Sequence, residues 1–567
     1  MLTYRMKKLL LKFNPHWIVL FLSGLNLLFM HYSIFFTDNE NPYYPFGTYI
    51  DNILGIVADI GFVFFIAWLF SLRRTKVAVL ITFYVTLLWS FSNVLYFRFF
   101  HYYISLSAIG QGGTLFDVEM INCLVYGLRW TDCYYLIILF ALVLITRKTS
   151  SCFRSINRIL KFILLFVGIY IVSIFYYYTH VSRGFRLYAP KAFVFRRGSI
   201  MSLMVETSDM VNGGRKLTEE QIAQIEKEIE TQMHAVRQTV DGMENKNVIF
   251  IIVESYMSFV SDMKVDGKEV TPFLNALKCD TATYYNGQMN ENVTIGESSD
   301  GQFLYMTGIL PLRSQITISI AHNNVLPGLP QVLGRESRMV IPTKASMWCQ
   351  DEMCQKYGFE ELVSSSDYTG ENSDWLIDEE IFQLAMQRDK TSKQPFFSVI
   401  LTLSMHQPYV RQKDTTFPIS KTSIPDDALA SYLNECHYTD RQIGMYFDHL
   451  KRTGLYDNSI IIIASDHSVH ITDFGGVSKN LPFYLINIPA SLRSKMWKGE
   501  CNQIDLYPTL LDVMGCESNW YGVGNSLLSQ DYQSLVPKYK WEISEWILMS
   551  NYFSKQRKFN KKIGSGE

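Results

Sequence analysis

Apolar stretches of bilayer-spanning length crowd into the N-terminal third of this 567-residue chain, and the remainder reads as a water-soluble domain. Five such runs stand out, at 17–36, 52–71, 76–97, 132–146 and 159–178. A helix needs about 20 apolar residues to cross the hydrocarbon core. Four runs reach that length; the fourth does so only if it begins near Cys123 and tolerates Arg129 and Asp132. The overall 48% hydrophobic content thus averages two regimes, one for lipid and one for water.

Loop charge alternates in step with these runs. Arg5, Lys7, Lys8 and Lys12 precede the first, Arg73 and Arg74 separate the second and third, and Arg147, Lys148, Arg154 and Arg158 separate the fourth and fifth. The intervening loops are poorer in positive charge, and the first carries Asp38 and Glu40. The positive-inside rule places the N-terminus and both basic loops in the cytoplasm. Five spans then put everything after Tyr178 outside, as expected of a multi-pass membrane protein. Bulky residues, His31 to Phe36, end the first run, so it reads as a retained anchor rather than a cleaved signal.

The expected organisation is a five-helix transmembrane domain at 1–179, a linker at 180–245, an extracytoplasmic α/β domain at 246–545 and a tail at 546–567. In the linker, Arg183, Arg186, Lys191, Arg196 and Arg197 suit lipid phosphates or a solvated face equally. Thr218 and Gln221 then have capping-box spacing, and Ile222, Ile225, Ile229 and Met233 define one apolar helix face. Nine cysteines show no zinc-ribbon spacing; Cys349 with Cys354, and Cys501 with Cys516, are close enough in sequence to bridge. A net charge of −1 gives no reason to expect nucleic acid.

From Asn247 onward, short apolar runs at 248–253, 339–341, 396–403, 460–464 and 483–488 alternate with helical patterns. They read as strands of a largely parallel sheet, buried on both faces. Ligands of such sheets gather beyond the C-terminal strand ends. Glu254 leaves the first run, Asp466 and His467 leave the fourth, and His406 lies just past the third. A single acidic residue there is often a helix cap. Three strands deliver Glu254, Asp466-His467 and His406 to one edge, and two carboxylates and an imidazole suit a divalent cation, Mn²⁺, Mg²⁺ or Zn²⁺. The run Gly296-Glu297-Ser298-Ser299-Asp300-Gly301 reads as a helix N-terminus with Ser298 or Ser299 at the cap, where free N–H groups favour a phosphate. A metal-bound serine there is a candidate nucleophile.

Together these residues resemble the lipoteichoic acid synthase family of the alkaline phosphatase and sulfatase superfamily. The matching pieces are Glu254 after its strand, Gly296-Glu297-Ser298-Ser299-Asp300 for Gly-x-Thr-Ser-Asp, the pair Asp466-His467, and His406 in Thr402-Leu-Ser-Met-His-Gln-Pro. The stretch Trp348-Cys-Gln350-Asp351 matches Trp-x-Arg-Asp, and Asp505 lies in a late run that reads as a structural cap. The resemblance implies Glu254, Ser298, Asp466 and His467 as metal ligands, with manganese foremost. It implies Ser298 as nucleophile, and His406, Trp348 and Gln350 as substrate contacts. The implied donor is a membrane phospholipid and the acceptor a cell-envelope glycan or lipid. Two departures stand out: serine replaces threonine at 298, and Gln350 lacks the charged fork of an arginine. Sulfatases need Cys/Ser-x-Pro-x-Arg, and Ser298 is followed by Ser-Asp-Gly-Gln. Phosphoglycerol transfer is therefore the leading expectation. The alternatives are a phosphoethanolamine transferase, a hydrolase of the same fold, and a non-catalytic binding protein. His470, Asp473 and His437 are weaker site candidates.

Overall fold

Apolar helical segments occupy the positions of the first four expected spans. The computed structural model describes residues 15–37, 46–100, 102–110, 127–148, 193–194, 197–211, 216–236, 243–313, 315–370, 375–409, 426–469 and 479–555, and in addition 125, 168, 419, 423 and 424. The expected fifth span, apart from Gly168, lies outside these, as do Arg183, Arg186, Lys191, Arg196, His470 and Asp473. The chain divides into two units, Met1–Gly213 with Arg313–Gln315, and Gly214–Leu312 with Ile316–Glu567.

In the first unit, α1 (Pro15–Thr37) packs against α2 (Phe46–Phe100). Although α2 is helical over 55 residues, its two arms meet α1 at one depth. A Cβ on Gly24 would lie 3.6 Å from Phe64 in the first arm. Asn26 donates to Thr86 Oγ1 in the second arm at 3.3 Å, and Ser90 Oγ donates to the Asn26 carbonyl at 2.7 Å. Val63 and Val94, in one apolar cluster, would be about 46 Å apart on a straight helix. The helix therefore folds back, and its arms lie where the second and third spans were expected. Among the described residues, Val77–Arg98 alone has both the length and the hydropathy of a span; Ile18–Ile34, Gly55–Ile66 and Trp130–Ile145 are apolar but shorter. The last of these includes most of α3 (Cys133–Lys148). Its charged entrance is neutralised by a buried fork, Arg98 Nη1 and Nη2 donating to the two Asp132 oxygens at 2.7 and 2.8 Å.

Asp59, also buried, accepts from Ser199 N and Oγ at 2.8 Å and from Ile200 N at 3.0 Å. It thereby satisfies the first N–H groups of α4 (Ser199–Val211).

In the second unit, α5 (Glu219–Met233) starts at the expected capping box, with Thr218 N donating to Gln221 Oε1 at 3.1 Å and Gln221 N donating to Thr218 Oγ1 at 3.3 Å. Its buried side differs from the apolar face expected. Ile225, Glu228 and Gln232 are buried while Met233 is 44% exposed. Glu228 is drawn inward by Lys540, 3.5 Å away.

The sheet follows, through β1 (Asn247–Val253), α6 (Pro272–Lys278), β2 (Thr283–Asn290), α7 (Ser298–Thr307), β3 (Glu336–Val340), α8 (Gln350–Tyr357), β4 (Glu361–Val363), α9 (Asp378–Asp389), β5 (Phe396–Leu401), α10 (Asp427–Arg452), β6 (Ser459–Ser465), β7 (Leu481–Ile486), β8 (Cys501–Asn502), α11 (Leu506–Val513) and α12 (Lys538–Ser550). The strand order is β8-β2-β7-β6-β1-β5-β3-β4. All pairings are parallel except those of β7 with β6 and with β2. Both β1 and β6 are buried at every residue, as uninterrupted apolar strands between two helical layers must be. Helix α12 runs across residue 545, where the domain was expected to end.

Neither expected cysteine pair is bridged. Cys354 is buried in α8 with Sγ 3.9 Å from the Glu361 carbonyl, and Cys516 Sγ is 3.9 Å from the Met514 carbonyl. Asp505 behaves as a structural residue, accepting from Asn502 N, Asn525 N and Tyr532 Oη at 2.7–2.9 Å.

Candidate active site

The register of β1 and β6 places Val253 opposite Ser465, so the next residues, Glu254 and Asp466, leave the sheet side by side. Backbone geometry then turns them toward one another. Ser255 adopts a left-handed φ of 51°, which lets its N–H reach Asp466 Oδ1 at 2.7 Å while its hydroxyl donates to Glu254 Oε1 at 2.8 Å. Tyr432 Oη donates to the Ser255 carbonyl at 2.7 Å and holds that turn. On the other flank, Glu254 N donates to Thr402 Oγ1, just past β5, at 3.0 Å. Gln503 supports the Asp466 carbonyl at 2.6 Å.

Helix α7 brings the serine. Neither serine caps it: Ser299 Oγ turns back to the Gly296 carbonyl at 2.7 Å, and Glu297 takes the cap position with φ 46°. Ser298 Oγ instead donates to Glu254 Oε2 at 3.2 Å and lies 3.0 Å from His467 Nε2. Buried Asp300 ties down the preceding loop, accepting from Thr294 N, Thr294 Oγ1 and Gly296 N at 2.7–3.0 Å. Gly301 allows the closest approach, because a Cβ there would sit 2.4 Å from the Asp466 carbonyl oxygen.

The centre is electrostatically crowded. His467 Nε2 lies 3.2 Å from Glu254 Oε1 and 3.7 Å from Asp466 Oδ2. Its Nδ1 is 2.8 Å from the Ser468 carbonyl, which can only accept, so Nδ1 carries a proton and Nε2 faces the carboxylates. Burial raises the Glu254 carboxyl, but His467 overcomes this and holds it well below the usual range. Burial, then the Glu254 charge, push the Asp466 carboxyl well above the usual range. Burial disfavours the charged His467 ring, yet Asp466 and Glu254 raise it well above an ordinary imidazole. Two carboxylates in apolar surroundings thus compete for one positive charge. One ligand atom from each of Glu254, Asp466 and His467 falls within 4.8 Å of the others, all three residues being buried. This donor set, two oxygens and one nitrogen beside a hydroxyl, fits a divalent cation.

The other expected residues are placed differently. His406 is half-buried, its Nδ1 2.7 Å from the Gln407 carbonyl and its ring edge-on to Trp375 at 5.9 Å. It is close enough to Glu254 to help lower that carboxyl. Trp348 is half-buried in the turn Met347–Cys349 with a left-handed φ of 53°. Gln350 is buried and pairs with Gln302 of α7, one turn from Ser298. His437 lies apart, with Nδ1 2.8 Å from the Val270 carbonyl. Sequence reasoning missed Ser255, Thr402, Gln503 and Glu297, whose carboxylate is 3.9 Å from His467 Nδ1. The adjacency of Ser255 to Glu254 was a usable signal; nothing local marks Gln503.

Residues 246–516 match the family described as Sulfatase. Lipoteichoic acid synthase 2 of Bacillus subtilis is 26% identical over 513 residues, covering 83% of this chain and 77% of that protein. Lipoteichoic acid synthase of Staphylococcus aureus strain USA300 is 25% identical over 490 residues, covering 79% and 74%. The integral membrane protein lipooligosaccharide phosphoethanolamine transferase A from Neisseria meningitidis has the same fold, with a TM-score of 0.52 and 14% identity over 91% of this chain and 96% of that one. Residues 246–516 thus match the Sulfatase family, in a chain that is similar to lipoteichoic acid synthases along most of its length.

Proposed function

We propose that this chain is a membrane-anchored transferase that moves a phosphoglycerol-type head group from a phospholipid to a cell-envelope acceptor through Ser298. The observation that carries this reading is the position of Ser298 Oγ, 3.0 Å from His467 Nε2 and 3.2 Å from Glu254 Oε2, at the N-terminus of α7. Glu254, Asp466 and His467, with Ser298, would hold one divalent ion, manganese foremost, which when bound acidifies a hydroxyl and offsets phosphoryl charge.

Ser298 Oγ forms a bond to the donor phosphorus as the bond to the diacylglycerol oxygen breaks. The serine proton ends, net, on the released diacylglycerol, and His406 is the residue that would deliver it. The acceptor hydroxyl then attacks the same phosphorus, the Ser298 ester breaks, and the acceptor's proton returns to Ser298. The N–H groups of Ser299 and Asp300 are taken by the Gly296 and Glu297 carbonyls, so of the first turn of α7 it is the Ser298 N–H that would meet a phosphoryl oxygen, and Trp348 would wall the head-group pocket. Five spans, with the catalytic domain outside, tether the site beside its lipid donor and raise its effective concentration.

A second reading has a specific observation behind it. Glu297 adds a carboxylate next to Ser298, and position 350 carries no guanidinium. An anionic rim suits the ammonium of phosphoethanolamine better than glycerol. Full-length protein with Mn²⁺ and head-group-labelled phosphatidylglycerol or phosphatidylethanolamine separates the two. A glycerophosphoryl adduct on Ser298 by mass spectrometry is the expected result. A phosphoethanolamine adduct selects the second reading. Diacylglycerol release without an adduct, or unchanged turnover in Ser298→Ala, rejects the serine mechanism.

A further inference from the structure

We propose that His322, Cys349 and Glu352 form a second divalent-cation site of the zinc class, separate from the Glu254–Asp466–His467 group. One ligand atom from each lies within 4.8 Å of the other two. His322 Nε2 and Glu352 Oε2 are 3.9 Å apart. Bonds of the usual zinc lengths set tetrahedral donors about 3.3–3.8 Å apart. A rotamer adjustment of Glu352, whose side chain is 55% exposed, closes the remaining gap.

The histidine is already oriented for this. Its Nδ1 is 2.8 Å from the Ile318 carbonyl, which can only accept, so Nδ1 carries the proton and Nε2 presents a lone pair. A ring N–H donating to a backbone carbonyl is the arrangement that fixes tautomer and angle in metal-binding histidines. Asn323 Nδ2 sits 2.7 Å from that Nε2 and must turn aside as an ion enters. Asn323 is exposed and free to do so.

The three donors come from two distant stretches of chain. His322 follows the short helix Ile318–Ala321, Cys349 ends the turn Met347–Cys349, and Glu352 lies in the first turn of α8. Trp348 and Cys349 are consecutive left-handed residues, with φ 53° and 54°, a conformation uncommon outside glycine. Cation binding across this turn would fix the segment that presents Trp348. A thiolate beside an imidazole and a carboxylate favours zinc over magnesium or manganese, whereas the first group contains no sulfur. Binding displaces the Cys349 proton to solvent, and water completes the tetrahedron.

Cobalt(II) chloride tests this directly, because a thiolate–cobalt charge-transfer band can arise only where a cysteine binds the ion. Metal-stripped, full-length protein in detergent is titrated and the near-ultraviolet band followed. The expected result is a saturable band that disappears in Cys349→Ala. In His322→Ala it should need at least tenfold more cobalt. Ser298→Ala should leave it unchanged, so the outcome is independent of the proposed transfer reaction. Thermal unfolding of the stripped variants verifies that each is folded. No band at saturating cobalt, a band that survives Cys349→Ala, or a titration indifferent to His322→Ala overturns the proposal.

Discussion

The side-chain amides of Gln302 and Gln350 pair twice, Gln302 Nε2 donating to Gln350 Oε1 at 3.1 Å and Gln350 Nε2 donating to Gln302 Oε1 at 3.0 Å. Both side chains are buried, so the pair ties α8 to the helix that carries Ser298. Losing one partner strands the other's polar atoms, whereas replacing both with apolar groups does not. Gln350→Leu should therefore destabilise the protein by about 1–3 kcal/mol, and adding Gln302→Leu should recover part of that loss. Denaturant unfolding of the two single variants and the double variant measures the coupling. Strictly additive losses would show that the amides act independently.

Ser298→Ala removes the hydroxyl but none of the three charged donors. Turnover should fall at least about a thousand-fold, as expected when a covalent nucleophile is lost. Bound manganese, measured by elemental analysis, should remain near the wild-type content. Loss of metal together with activity would recast Ser298 as chiefly a ligand.

Gly301→Ala attacks the same site through the backbone. The added methyl would lie 2.4 Å from the Asp466 carbonyl oxygen, and that oxygen is held by Gln503. Either α7 or the exit of β6 must move, at a cost of about 1–3 kcal/mol or more. Activity should drop more than stability does, because the displacement separates Ser298 from His467. A variant with wild-type turnover would mean the contact is easily relaxed.

Much of this site was legible because β1 and β6 are apolar at nearly every position, so their exits could be found by eye. Ser298 was named from the sequence as a candidate nucleophile, although a cap and a nucleophile look alike in Gly-Glu-Ser-Ser-Asp; the structure adds that its Oγ points toward Glu254 and His467. Strand β2 was missed because Asn286, Gly287 and Gln288 interrupt its apolar pattern. The antiparallel direction of β7 leaves no trace in composition. The face of α5 was misjudged because its partner, Lys540, is more than 300 residues away in the chain, and only pairing makes burial of Glu228 tolerable. Gln350 could be recognised as an unusual residue for its motif, but not as a partner of Gln302.

The Lys540–Glu228 pair gives a sharp stability test. Both side chains are more than nine-tenths buried and lie 3.5 Å apart. Lys540→Met leaves an uncompensated buried carboxylate and should cost about 3–5 kcal/mol. Lys540→Met with Glu228→Gln removes both charges, and most of that loss should disappear. Thermal melts of the full-length protein in detergent compare them. Equal losses in the single and double variants would show that the charge left behind is not the cause.

Asp440 supplies a pH test away from the catalytic centre. It lies in α10 and accepts from the first N–H groups of α6, Phe273 N at 3.0 Å and Leu274 N at 2.8 Å. Burial pushes its carboxyl up to about 7; the two backbone donors oppose this, and the charge of Glu269 adds to it. In the unfolded chain the same group titrates near about 3.9. Between these values the folded state keeps a proton that the unfolded state has released. The contribution of Asp440 is therefore fully present below about pH 4 and is lost as pH rises toward 7, by roughly 2–4 kcal/mol over that window. Asp440→Asn cannot release a proton, so the stability advantage of wild type over this variant should shrink from pH 4.5 to pH 7.5. Unfolding at a series of pH values reads the difference directly. A wild-type advantage that grows with pH would mean that the backbone donors of α6 outweigh burial and hold Asp440 as a carboxylate.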